Sequence, residues 1–131
     1  MQLQLRIIGV LLILLALVHM VFPKYFDWKN EFSSVSLLNR QMIYVHTFFI
    51  ALTVLLMGLL CLVCSDQIVH TELGKIISLG LGVFWTFRLI VQFVGYSSKL
   101  WKGKAFETTI HLLFTFLWTY LSAVFFTIFL E

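Results

Sequence analysis

The sequence predicts an all-α integral membrane protein: a bundle of four antiparallel transmembrane helices in a single domain, joined by short connectors. Composition points there first. Of 131 residues, 61% are hydrophobic and 11% charged, against about 45–50% and about 25% in a soluble domain. The mean hydropathy of +1.01 also excludes a disordered chain, which needs low hydrophobicity. One Pro and seven Gly are too few for a turn-rich all-β protein. The second observation is positional. The apolar residues gather in runs at residues 5–22, 42–64, 76–96 and 108–130, each close to the roughly 20 residues that span a bilayer as a helix. The runs are continuous rather than alternating and about twice the ten-residue length of a transmembrane β-strand, which selects helices.

Taken in order, the first run is rich in Leu and Ile, and Pro23 behind it predicts the helix end. No small-x-small cleavage site follows, so the run reads as a retained helix rather than a signal peptide. The connector 23–41 carries Tyr25, Phe26 and Trp28 where an aromatic belt belongs. Its second half is amphipathic, with Phe32, Val35, Leu37 and Leu38 among Ser and Asn. It either lies at the interface or extends the next helix. Ser65 and Asp66 close the second run. The third carries Ser78, Gly82 and Thr86 at a spacing of four, a pattern suited to close helix packing and, in a homo-oligomer, to a second copy. Tyr96 and Trp101 again mark an interface. Thr108 is the expected N-cap of the fourth run, with Glu107 in the first turn as the alternative.

Lys and Arg in short loops set orientation. Connectors 23–41 and 97–107 share a side and hold Lys24, Lys29, Arg40, Lys99, Lys102 and Lys104, whereas Arg6 and Lys75 lie opposite. A multi-pass protein of the inner membrane with both termini non-cytoplasmic is expected. The net charge of +3 then needs no nucleic acid; the bilayer and its anionic head groups account for it.

Polar side chains inside a bilayer are costly and usually face the bundle interior. The strong ones here are His19, His46, Arg88, Gln92 and His111, with Thr53, Thr115 and Ser122 as weaker members. At about 1.5 Å per residue, His19 and His111 lie roughly 5 Å inside their runs, Gln92 and His46 roughly 6–8 Å, and Arg88 roughly 12 Å. All are measured from the side of connectors 23–41 and 97–107, so they form one layer. Helical stripes group them: Asn39, His46, Thr53 and Met57; Trp85, Arg88 and Gln92; Glu107, His111, Thr115, Trp118 and Ser122.

Arg88 stays charged and needs acceptors, yet no Asp or Glu lies within a run. Either Glu107 folds inward to pair with it, or it snorkels to the interface or bonds backbone carbonyls, or it awaits an anion such as a lipid phosphate, a carboxylate or a haem propionate. Each histidine taken singly reads as a satisfied hydrogen-bonding residue. Taken together, His19, His46 and His111 suit a transition metal, and His46 with His111 suits haem. No His-x-x-x-His pair supports this. His70 lies on the far side. Cys61 and Cys64 form a C-x-x-C, a dithiol pattern. It sits at a helix C-terminus, where the dipole opposes a thiolate, so two small apolar residues are the simpler reading.

No phosphate-binding glycine loop, nucleophile elbow or acidic relay is present in the sequence. The expectation is a polar site lined by His19, His46, Arg88, Gln92, His111, Glu107, Thr115 and Trp85. It would bind an amphiphilic or anionic small molecule or lipid, with a histidine as acid or base if it is catalytic. The alternatives are a haem- or metal-binding redox protein, and a non-catalytic accessory subunit whose polar layer fixes helix register. Closed hydrogen bonds among histidine, Arg88 and Glu107 with no cavity would favour the accessory subunit; an open pocket under Arg88 would favour the ligand site.

Overall fold

The structure is a computed structural model that describes residues 1–131. It contains helices and no strand. The long helices are α1 (Gln2–Tyr25), α3 (Leu37–Val63), α5 (Glu72–Val94) and α6 (Ala105–Leu130), each long and apolar enough to cross a membrane. Short helices α2 (Trp28–Glu31) and α4 (Ser65–His70) and a 3-10 turn at Ser98–Leu100 occupy the connectors. The all-α class and the membrane-spanning character follow directly. The chain divides into two compact units, residues 2–65 and, with Met1, residues 66–131. Each is built on one antiparallel helical hairpin.

In the first unit α1 packs on α3. Glycine sets the distance between them. A Cβ built on Gly9 would stand 2.8 Å from the Gly58 carbonyl oxygen, and one on Gly58 would stand 2.8 Å from the Gly9 carbonyl oxygen. Only hydrogen on both helices lets the backbones touch there, as in small-residue helix crossings. Leu62 sits beside Gly9 and Ile13 beside Gly58, so ascending α1 meets descending α3. Leu5, Ile8 and Leu12 on α1 are fully buried.

The ends of these helices differ from expectation in instructive ways. Pro23 lies inside α1, which continues to Tyr25. A proline lacks the donor for the fourth carbonyl behind it, but so near the terminus that removes only one bond. The stop comes instead at Asp27, whose φ of 53° is left-handed. Of the amphipathic half of the connector, Leu37 and Leu38 extend the next helix, while Phe32 and Val35 lie in the turn before it. Ser36 caps α3 by accepting a bond from the Asn39 amide at 3.3 Å, so α3 starts at Leu37 rather than near Met42.

In the second unit α5 packs on α6. Thr71 caps α5, accepting from the Gly74 amide at 2.9 Å. Glycine acts differently here: a Cβ on Gly82 would meet the Phe126 ring at 3.2 Å, so an aromatic ring rather than a backbone fills the space. Fully buried Ser78 lies one turn before it. Thr108 is not the N-cap of α6. Lys104 holds that position without a side-chain bond, Glu107 lies in the first turn, and the Thr108 hydroxyl donates back to the Trp101 carbonyl at 2.5 Å.

Candidate intramembrane polar site

The polar site is clearest at the connector end of the α5–α6 hairpin, and Gln92 is its centre. Gln92 stands on the last turn of α5, which turns the residue toward α6, and it is 7% exposed. Its Oε1 accepts from Arg88 Nη1 on its own helix at 3.4 Å and from Trp118 Nε1 on α6 at 3.4 Å. Its Nε2 donates to His111 Nδ1 at 3.0 Å. The amide orientation is fixed by these neighbours, because Arg and Trp have only donors to offer. A neutral His111 therefore carries its proton on Nε2, since Nδ1 is used as an acceptor.

Aromatic rings enclose the same atoms. Trp118 stacks on Trp85 at 5.2 Å and 8°, with Phe114 stacked at 5.5 Å. The Arg88 guanidinium carbon stands 4.8 Å from the Trp118 ring and 5.7 Å from the Tyr96 ring, within reach of a cation–π attraction. Trp101 stacks on His111 at 4.4 Å and 18°, and Phe93 meets His111 edge-on at 5.9 Å. The buried Nε1 atoms of Trp85 and Trp101 and the buried Ser78 hydroxyl have no hydrogen-bond partner.

Arg88 is part-buried, six residues and about 9 Å inside the end of α5. No carboxylate approaches it within 4.0 Å; Asp66 pairs instead with His70, and Glu72 with Lys75. Glu107 does not fold inward and stays exposed. It occupies the first turn of α6, where an acidic residue favours the helix dipole. Arg88 also lines an open groove of about 580 Å³ with Gly80, Val83, Phe84, Phe87 and Val91.

The sequence-predicted residues thus divide. Arg88, Gln92 and His111 come together in one bonded chain, and Trp85 joins through its stack on Trp118. Thr115 contributes no side-chain contact to it, because its hydroxyl donates to the His111 carbonyl at 2.8 Å. Thr53 and Ser122 bond their own helices in the same way. His19 and His46 belong to the first unit. The His19 Nδ1 donates to the Leu15 carbonyl at 2.8 Å, and its ring lies 4.9 Å from Phe22. His46 is exposed on α3, and no hydrogen bond or ring contact joins it to His19. No group of three or more His, Cys, Asp or Glu side chains forms a metal-holding set in either unit. Cys61 and Cys64 are both free thiols, the first buried.

Trp118, Trp101 and Tyr96 were missing from the expected lining. Trp118 shares a helical stripe with His111 and Thr115, so its place was readable; Trp101 and Tyr96 read only as interface aromatics. Comparison with protein-family models, with curated proteins and with solved structures finds no match.

Proposed function

We propose that this small polytopic membrane protein binds an amphiphilic ligand, with an anionic head at Arg88 and an apolar body beside it in the membrane. One observation carries the reading. Arg88 is a permanent charge within a membrane-length helix, it has no carboxylate partner, and its side chain borders a largely apolar groove. A guanidinium offers five donors; Gln92 takes one of them at 3.4 Å. The remaining donors suit an oxyanion, which a planar fork can hold bidentately. Gln92 and the Trp118 ring fix the guanidinium in place, and His111 adds an Nε2–H donor to the same end of the hairpin. An open groove beside Arg88, without closed Arg88–Glu107 bonds, favours a ligand site over a polar layer that only sets helix register.

The lysine-rich connectors support a setting for the site. Lys99, Lys102 and Lys104 follow α5, on the same end as Gln92 and His111. In our reading that end is cytoplasmic in an inner membrane, with both termini on the opposite side. A ligand head would then enter from the cytoplasmic leaflet, drawn by the lysines.

Native mass spectrometry in a non-ionic detergent tests the reading. Dodecanoate and dodecyl phosphate should each bind saturably, and dodecylphosphocholine should not. Arg88→Gln should abolish both adducts, and Arg88→Lys should weaken them by losing the fork. Equal retention of the zwitterionic probe, or adducts indifferent to Arg88→Gln in a folded variant, would overturn it.

A further inference from the structure

The connector between α5 and α6 inserts one ring into its hairpin. From Phe93 through Glu107, Trp101 is the one residue that is not exposed. Its indole stacks on His111 at 4.4 Å and 18°, so it covers a face of the imidazole that Gln92 bonds. Gln92 in turn accepts from Arg88, and the stack therefore closes the connector end of that bonded chain. Lys99, Lys102 and Lys104 flank Trp101 in sequence and are all exposed. Cations thus lie outside the ring and Arg88 lies behind it in the hairpin.

The backbone around Trp101 holds itself together without the ring. The Leu100 amide donates to the Ser97 carbonyl at 3.1 Å, and the Trp101 and Lys102 amides donate to the Ser98 carbonyl at 3.3 Å and 2.8 Å. The Trp101 carbonyl accepts from the Lys104 amide at 3.1 Å and from the Thr108 hydroxyl at 2.5 Å. These last two bonds pin the Trp101 backbone to the start of α6. None of them involves the indole, so its side-chain torsions can change rotamer while the turn stays formed.

The closed position is a balance of opposed terms. The stack on His111 favours it, but Trp101 Nε1 is buried there with no hydrogen-bond partner. A buried donor left unpaired costs about as much as an aromatic stack returns. Trp85 Nε1 lacks a partner too, but Trp85 is buried within α5, whereas Trp101 stands in a surface connector. Swung out to the head-group layer, where indoles ordinarily sit, Trp101 finds an acceptor. Resting this on the ligand reading above, we propose that Trp101 is a hinged cover on the polar site. It lies on His111 while the site is empty, and it swings to the interface when an anionic head group passes the lysines toward Arg88. The ligand selects the open position because the closed ring stands in its way.

Acrylamide quenching of tryptophan fluorescence tests this on the full chain in non-ionic detergent, with dodecyl phosphate as the probe. Saturating probe should increase the quenching of wild type. The increase should be absent in Trp101→Phe, which lacks the reporting indole, and in Arg88→Gln, which lacks the anion site. Native mass spectrometry gives a second readout with a telling sign. Trp101→Ala should bind dodecyl phosphate about two- to tenfold more tightly than wild type, the worth of a stack that no longer has to be broken. A residue that lines the site or only packs would weaken binding when truncated. Quenching that stays constant or falls while the probe binds through Arg88 would overturn the cover and leave the ligand reading standing. So would an increase that persists in Trp101→Phe, or unchanged or weaker binding by a folded Trp101→Ala. The wild-type quenching decides the matter even where Trp101→Ala does not fold. Absent adducts, or adducts indifferent to Arg88→Gln, would overturn the ligand reading and the cover together.

Discussion

The two hairpins solve the same packing problem by opposite means. In α1–α3 the backbones themselves meet, with Gly9 and Gly58 each leaving space for the other's carbonyl. In α5–α6 the helices are bridged by side chains: the Trp85–Trp118 stack, the Phe126 ring over Gly82, and Gln92 bonded to His111 and Trp118. Lipid is as apolar as leucine, so neither hairpin gains from hiding hydrophobic surface. Close backbone contact suits a pair with no polar task. A side-chain bridge gives polar atoms somewhere to gather, and Arg88, Gln92 and His111 gather there. In the first hairpin His19 bonds its own helix and His46 bonds nothing.

The largest expected effect follows from the tighter contact. Gly58→Val places a branched side chain where even a Cβ stands 2.8 Å from the Gly9 carbonyl and 3.0 Å from Ile13 Cγ1. The obstacle is backbone, which cannot rotate away, so α1 and α3 must separate. Overpacking of this kind costs about 1–3 kcal/mol or more, and here the upper end is expected. Thermal unfolding in detergent should show a large drop in melting temperature. A melting temperature within a degree or two of wild type would contradict the glycine contact. The Arg88 ligand assays should respond far less, since they read the other hairpin.

A middle-sized effect tests the side-chain bridge. Gln92→Leu keeps the volume and removes the acceptor for Arg88 and Trp118 and the donor for His111. Each bond is long or neutral, and interhelical bonds in membranes average about 0.6 kcal/mol with a maximum near 1.7. A loss of about 1–3 kcal/mol is expected, because a buried group left unpaired costs more than a bond gained. The sharper readout is selectivity: with the guanidinium no longer held, anion binding should weaken more than melting shifts. Unfolding without any change in anion binding would show that Gln92 serves only the fold.

Much of this was legible in the sequence, and the misses have physical causes. Continuous apolar runs gave the membrane helices, since length and hydropathy alone decide that. The stripe periodicity put Arg88, Gln92 and His111 on inward faces, and the absence of any carboxylate within a run flagged Arg88 as unpaired. Periodicity says which face a residue occupies but not which residue faces it, so the Gln92 bonds and the Trp118 bridge needed the fold. Helix ends failed for a related reason. Pro23 reads as a stop, yet its cost is one carbonyl when two residues remain, and the turn geometry at Asp27 decides instead. The Gly9–Gly58 contact left no signal, because isolated glycines in different runs announce nothing about each other, while the spaced Ser78, Gly82 and Thr86 looked more like a packing motif.

The smallest expected effect separates the two histidine environments most cleanly. His46 was expected in the polar layer beside His111. On α3 it is exposed, with no hydrogen bond or ring contact, whereas His111 accepts from Gln92 at 3.0 Å and stacks on Trp101 at 4.4 Å. His46→Ala should therefore shift stability by no more than about 0.5 kcal/mol, the range of a substitution that removes no contact. His111→Ala in the same melting assay should cost more, through an unpaired Gln92 amide and an unstacked Trp101. If His46→Ala equals or exceeds His111→Ala in either melting or anion binding, His46 has a partner within the membrane and the polar site extends into the first hairpin. If it is silent in both, the polar site is confined to α5 and α6.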